Sequence, residues 1–418
     1  MVSSESNQEG SVSVEYPALP LHRSRVIFLA ALALAAGALA TESEAFTWPW
    51  SVGKPWPKTS TRPVEALEHP SIEERAAALS STPDSGFRFA VLGDQRALAD
   101  GEWQALLGCV ASEASADPRL LFVLDTGDVV WDGRHSDQFH LLREILSPVA
   151  GLPYLVGVGN HEVRNNSEVT ARRNTAALLG RLDPEISWER LYYRKEIGMA
   201  TILFLDTNDF VYGDSGAGND APCPPPSGRA ERQLAWLVGE LDEGRRGADG
   251  SAAARATIVV MHHPLVQSSS KHAEQARALW SYRYEGRALP DILADGGVDL
   301  VLTGHTHTYE RFRLERADGR VMTLLNVSGR PRESVLWIGD GARRARDLRG
   351  GEARWLAEHG WTGLDGWRVT QEEAMVRDEA DQFAVIAVAA DGGLTVEMRF
   401  LDDEAAGGCR SAPAVRLP

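Results

Sequence analysis

Five short stretches of this chain carry side chains that bind metals or move protons, and each follows directly on an apolar run. They are Gly93-Asp94, Thr126-Gly127-Asp128, Gly159-Asn160-His161-Glu162, His262-His263-Pro264 and Gly304-His305-Thr306-His307. His305 and His307 are two apart, so in extended or tightly turning backbone both imidazoles address one spot. Any one stretch is also compatible with a capping residue or a satisfied histidine. Five together argue for a shared site. Two carboxylates, an amide oxygen and three imidazoles form a mixed oxygen and nitrogen donor set. That set suits Mn, Fe or Zn better than Ca. A pair of such divalent or trivalent ions, bridged by one carboxylate at about 3.5–4 Å, generates a hydroxide near neutral pH. It also clamps both oxygens of an in-line displacement at phosphorus.

Such donors need rigid elements to converge, and the hydrophobic pattern supplies them. Strands are expected at 87–92, 120–124, 154–158, 257–261 and 298–302, and helices at 102–114, 138–146 and 229–241. That alternation predicts an α/β fold. In open α/β sheets, function gathers at the carboxyl ends of the strands, which is where all five stretches lie. Antiparallel pairs are expected at 191–196 with 201–206, at 311–316 with 321–326 around Asp318-Gly319, and at 384–389 with 394–400 around Asp391-Gly392-Gly393.

The remaining segments frame this domain. Residues 1–45 contain His22-Arg23-Ser24-Arg25 and then an apolar run from Val26 to Ala40, which is short for a membrane span of about 20 residues. The run reads as a secretory signal with a small-residue cleavage site or as an uncleaved anchor; the alternative is a buried helix. Either of the first two predicts an exported protein, periplasmic, extracellular or membrane-anchored. Residues 46–86 are rich in Pro and Trp and read as a linker or as chain draped over the domain, with a short capped helix at 71–79. The domain itself is expected over 87–402, with a Trp-rich packed insertion at 331–381 and a tail at 403–418. Of the three cysteines, Cys109 reads as a buried small hydrophobe, whereas Cys223 and Cys409 lie in loop-like surroundings and could pair. A formal net charge of −16 argues against nucleic acid as partner and leaves a small phosphorylated molecule held through metal. Oligomeric state is left open by the sequence.

Taken in order, Asp94, Gly127-Asp128, Gly159-Asn160-His161-Glu162, His262 and Gly304-His305-Thr306-His307 resemble the motif set of the calcineurin-like metallophosphoesterases. The resemblance covers about 87–309 and implies a two-sheet β-sandwich flanked by helices, with the metals at one end. It implies that Asp128 bridges the ions, that Asp94 and His307 hold the first, and that Asn160, His262 and His305 hold the second. His161 is then the general acid and a metal-bridging hydroxide the nucleophile. Two departures stand out. Many members have Asp-x-His at the first motif, where this chain has Asp94-Gln95-Arg96. Arg96 either binds substrate phosphate through its planar fork or pairs with a carboxylate. The purple acid phosphatase branch places an iron-binding tyrosine where this chain has Trp131, and indole cannot ligate iron as a phenolate does. A local likeness to that branch remains at Ser268-Ser269-Ser270-Lys271-His272, which makes Lys271 and His272 candidate substrate contacts beside Arg96. The expected activity is dinuclear metal-dependent hydrolysis of phosphate esters, with monoesters favoured over diesters. The competing expectation is a catalytically weak metal-binding module of the cell envelope.

Overall fold

Four consecutive strands with apolar side chains on both faces form the middle of the protein. β-Strands that are buried on both sides read as near-continuous Val, Ile and Leu runs, and here both faces have partners. In a computed structural model, the described residues are 62–79, 83–96, 101–213, 228–246, 255–267, 273–329, 366–375, 381–402 and 408–418. They belong to one compact unit, Ser60–Pro418.

The strands are β1 (Phe87–Leu92), β2 (Leu120–Asp125), β3 (Tyr154–Val156), β4 (Tyr193–Ile197), β5 (Ala200–Phe204), β6 (Ala256–Val260), β7 (Arg283–Tyr284), β8 (Arg287–Ala288) and β9 (Leu300–Thr303). They continue with β10 (Tyr309–Arg316), β11 (Val321–Val327), β12 (Trp367–Met375), β13 (Gln382–Val388), β14 (Leu394–Asp402), β15 (Gly408–Ser411) and β16 (Val415–Arg416). The helices are α1 (Ile72–Ala78), α2 (Gly101–Ala116), α3 (Ser136–Ile145), α4 (Asn160–Val163), α5 (Val169–Leu179), α6 (Asn208–Val211), α7 (Gly228–Arg246), α8 (Ala273–Ser281) and α9 (Leu289–Asp295).

Two seven-stranded mixed sheets result. The first runs β15-β14-β13-β1-β2-β3, with β16 also on β14, and its β1, β2 and β3 are parallel. The second runs β12-β10-β11-β9-β6-β5-β4, and its β5, β6, β9 and β11 are parallel. Alternation of side chains explains the layering. Ile202, Phe204, Ile258, Val260, Leu300 and Leu302 pack in one cluster with Phe89, Val91 and Phe122 of the first sheet. Their neighbours Leu203, Val259 and Val301 point the other way, into a second cluster under α7, α8 and α9. Helix α7 meets that face with Ala230, Leu234, Leu237 and Leu241, spaced to lie on one stripe. The expected two-sheet sandwich flanked by helices is therefore observed.

Several boundaries differ from the sequence reading. Val64, Leu67 and Ile72 join the first cluster, so from residue 62 the chain follows the draped alternative of the sequence reading and not the linker. Ser71 caps α1, accepting from the Glu74 amide at 3.1 Å while Glu74 accepts from the Ser71 amide. Part of the presumed tail is sheet: β15 and β16 pair with β14, Leu401 opposite Cys409 and Val396 opposite Val415. Within the Trp-rich stretch, Trp367–Met375 is a strand paired with β10, and the rest of it, apart from Gly366 and Asp381, lies outside the described residues. So does the N-terminal signal-like segment. No helix among the described residues is long and apolar enough to cross a membrane.

The cysteine expectation is corrected as well. Cys109 on α2 is bonded to Cys409 on β15, 300 residues away. The edge position of β15 brings Cys409 under the helix that covers that sheet, which no local pattern reveals. Removing such a cross-link typically costs about 2–4 kcal/mol. Cys109→Ala and Cys409→Ala are each expected to lower the unfolding free energy by that order, read as a lower denaturant midpoint, with little further loss in the double variant. A wild-type midpoint unmoved by reductant would contradict the bond's contribution.

Candidate metal centre

The site residues stand at carboxyl ends of parallel strands from both sheets. Asp94 follows β1, Asp128 follows β2, Asn160 and His161 open α4 after β3, His262 follows β6, and His305 and His307 follow β9. Their loops are tied to one another. The Asp94 amide donates to the Gly127 carbonyl at 2.9 Å, Arg96 to that of Asp128 at 2.8 Å, and Gly304 to that of His262 at 3.1 Å. Gly127 has φ +105°, and a Cβ there would sit 2.6 Å from the Gly159 nitrogen; one on Gly159 would sit 2.2 Å from an Asp128 carboxylate oxygen. Only glycine permits that approach. Asp94, Arg96, Asp128, His305 and His307 all take left-handed φ values between 54° and 71°. Non-glycine residues in this region cluster at functional sites because the surrounding structure must hold them there. Here the turn directs each side chain inward.

One set of donors converges closely. A carboxylate oxygen of Asp128 and ring nitrogens of His262 and His305 all lie within 4.8 Å of one another, and all three residues are buried. The tautomers are fixed from outside, as in many metal sites. His262 donates from Nδ1 to the Thr126 carbonyl at 3.0 Å, which turns Nε2 toward Asp128 Oδ1 at 3.3 Å. His305 shares Nε2 with Gln275 Oε1 at 3.3 Å and sets Nδ1 3.2 Å from His262 Nε2. Asn160, first residue of α4 beside His161, carries a further oxygen. Its Oδ1, like Oδ2 of Asp128, is buried without a hydrogen-bond partner among the described residues. Buried oxygens without donors are costly, and a cation satisfies both. These four residues fit a metal ion.

The second group is arranged differently. His305 donates its backbone N–H to both Asp94 oxygens, at 3.1 and 3.0 Å. His307 Nε2 is 3.7 Å from Asp94 Oδ1 but only 2.7 Å from Nη2 of Arg96, which also lies 3.5 Å from Asp128 Oδ2. The guanidinium stacks on Trp131, 4.5 Å from the ring centre. As arranged, Asp94 and His307 do not present an open metal position.

Charge follows this geometry. Burial opposes ionisation of Asp128, yet His262, His161 and Arg96 hold its carboxyl well below the ordinary range. Burial also opposes charge on His262, but Asp128 and then Asp94 push it up to about 9. Burial takes His161 down to about 4, against the pull of Asp128. His161 is anchored by its Nδ1, which donates to the Trp131 carbonyl at 2.6 Å, and by its backbone N–H on Asp128 Oδ1 at 3.0 Å. Its Nε2 faces Asp128 Oδ2 at 3.8 Å.

Two positioning carboxyls carry no role in the sequence reading. Glu162 is fully buried and accepts from the amides of Asp128, Gly159 and Val130 at 2.7, 2.8 and 3.0 Å. It thereby locks the β2 and β3 loops together, and burial with Asp128 nearby raises its carboxyl to about 8. Asp125 holds the Gly127 amide at 2.8 Å and is held by Tyr154 Oη at 2.7 Å and by Gln95. Glu162 closes the Gly-Asn-His-Glu string, the one signal that pointed to it. His263 bonds Thr207 Oγ1 at 2.8 Å and packs 4.5 Å from the His305 ring, supporting it from behind. Asn208 donates to the Gly159 carbonyl at 3.2 Å, whereas Asp209 is engaged by Arg229 and Asn166. Lys271 and His272 lie outside the described residues.

Comparison with known proteins names this arrangement. The model of the calcineurin-like phosphoesterase family matches residues 87–309, which is more than half of the chain. The chain belongs to this family. Acid phosphatase type 7 of Danio rerio is 30% identical over 203 residues, 45% of this chain and 41% of that protein. Purple acid phosphatase 22 of Arabidopsis thaliana is 25% identical over 239 residues, 56% of this chain and 47% of the relative. The chain thus spans less than half the length of the curated relatives it matches. Among solved structures, the purple acid phosphatase PPD1 of yellow lupin seeds aligns with a TM-score of 0.47 at 16% identity, over 79% of this chain and 55% of its own. The family implies a dinuclear metal centre, and the group of Asp128, His262 and His305 could hold a metal ion; Trp131 stands where the purple branch is expected to have an iron-binding tyrosine.

Proposed function

We propose that the protein is a metal-dependent hydrolase of small phosphate esters, exported by its N-terminal apolar segment and acting on monoesters in preference to diesters. The observation that carries this reading is the convergence of Asp128, His262 and His305 within 4.8 Å, beside a buried Asn160 oxygen that accepts no hydrogen bond among the described residues. These four residues would hold an ion of Mn, Fe or Zn type. The dinuclear centre implied by the family would add a second ion between Asp94, His307 and the other side of Asp128, the place where Arg96 bonds His307 in this chain. When bound, such ions supply a hydroxide nucleophile at neutral pH and neutralise charge developing at phosphorus.

The chain's own residues do the rest. His161, fixed through Nδ1 on the Trp131 carbonyl, presents Nε2 to the site. Only as imidazolium, a form that burial disfavours above about pH 4, does it carry an Nε2 proton to give to the leaving oxygen, so this step favours turnover at acid pH. Its imidazole is 19% exposed, so a substrate oxygen can reach it. Arg96, 13% exposed at its side chain, offers a permanent planar cation to phosphate oxygens. A dianionic monoester gains more from that charge than a monoanionic diester does, which is the basis for the preference. Lys271 and His272 are proposed as further phosphate contacts.

Protein purified without chelator should contain bound metal and hydrolyse an aryl phosphate monoester faster than the matching diester. Chelation should abolish turnover, and added Mn or Zn should restore it. Metal binding without hydrolysis of either ester under Mn, Fe or Zn would overturn the enzyme reading in favour of a metal-binding module.

A further inference from the structure

The two places where this chain departs from its family's motifs touch each other. Arg96 stands where many members have a histidine, Trp131 where the purple branch has a tyrosine, and the guanidinium lies on the indole at 4.5 Å. The same guanidinium faces two of the three groups that the resemblance assigns to the first ion, His307 and Asp128. Nη2 donates to His307 Nε2 at 2.7 Å and lies 3.5 Å from Asp128 Oδ2. Its charge also reaches the Asp94 carboxyl. A guanidinium has donors only, so the lone pair of His307 that a metal would need is already taken.

Arg96 is also held in place. Its amide donates to the Asp128 carbonyl at 2.8 Å, and its φ of 54° fixes the turn that directs the side chain inward. Cation–π stacking favours a ring below it, and Trp is the best ring for that role. Unlike a lysine or histidine, arginine cannot discharge by losing a proton, so a metal cation arriving there meets a permanent positive charge. On the other side of Asp128, His262 and His305 converge with one of its carboxylate oxygens within 4.8 Å.

We infer that Arg96 replaces the first metal ion, so that the centre is one ion on Asp128, Asn160, His262 and His305 beside a built-in guanidinium cation. The inference rests on the metal-binding reading above and refines its ion count. It also explains the two motif departures as one change: losing the histidine and the tyrosine removes ligands, and the arginine and tryptophan supply a charge and its support.

The test is stoichiometry, using Mn²⁺ as the probe. Full-length protein stripped of metal is titrated calorimetrically, and the loaded sample is examined by electron paramagnetic resonance. One equivalent with a signal from isolated ions is expected. Arg96→His, which restores the family's ligand, should bind a second equivalent at least about tenfold more tightly than the parent does and give the signal of an exchange-coupled pair. Arg96→Met, which removes the cation and keeps the apolar stem on Trp131, guards against a misfolded histidine variant and should also gain second-site affinity. Two tight equivalents in the parent would overturn the inference, as would a count of one in both variants. No binding in the parent would overturn the metal-site reading together with it.

Discussion

Asp128→Asn is expected to lower phosphate-ester hydrolysis by at least about 10³-fold and to weaken metal binding by more than about 100-fold. The amide keeps the size of the side chain and its acceptor for the His161 amide, a bond of 3.0 Å, so the loops should stay folded. What it loses is the negative charge that faces His262, His161 and Arg96 together. Changing a residue merely behind a ligand already costs about 10–100-fold in affinity, and this residue is itself the shared donor. A metal supplies several kcal/mol of stabilisation at the reacting oxygens, and about 4 kcal/mol corresponds to ~10³ in rate. A second readout needs no activity. Asp128 is the main group raising His262 toward about 9 against burial, so in metal-free Asp128→Asn the imidazole should titrate lower than in the parent. Imidazole NMR resolves this. Unchanged metal affinity would remove Asp128 from the centre.

That centre was visible in the sequence for a definite reason. Each parallel strand is buried on both faces, so its apolar run stops sharply, and the donor next to the stop must lie at a strand end. Asp94, Asp128, Asn160, His161, His262, His305 and His307 are all found that way, and the two sheets bring Asp128, His262 and His305 within 4.8 Å of one another. The packing of Ile202 and Leu203 on opposite faces follows from the period of a strand, which is why the layering was equally readable.

The features missed are those whose partners are remote in the chain. Glu162 is a buried carboxyl held by three backbone N–H groups, and composition offers no hint of such partners. Cys409 meets Cys109 only because the last residues return to the edge of the first sheet. Arg96 could be noticed as a departure, but both of the roles left open by the sequence, phosphate binding and carboxylate pairing, omit its hold on His307. Helix α9 carries a local signal that was overlooked, Pro290 near its start, a position where the missing N–H costs nothing.

His161→Asn tests the chemistry and not the assembly. The imidazole is 3.8 Å from Asp128 Oδ2 through Nε2 and lies outside the group of converging ligand atoms, so metal content should be unchanged. A positioned general acid contributes about 10²–10⁴-fold, and that contribution depends on the leaving group. An alkyl phosphate releases a strongly basic alkoxide that needs the proton in the transition state, and its hydrolysis should fall by the full factor. A nitrophenyl phosphate releases a phenolate stable without protonation, and its hydrolysis should fall far less. The ratio of the two losses is the decisive quantity, because a structural disturbance at His161 would reduce both rates alike. Trp131 offers a matched comparison. It receives the Nδ1 proton on its backbone carbonyl at 2.6 Å, so Trp131→Phe leaves that anchor in place while weakening the surface on which Arg96 rests. Equal losses for the two esters in His161→Asn would assign the protonation of the leaving group to some other donor, and the proton would then have to come from solvent or from substrate.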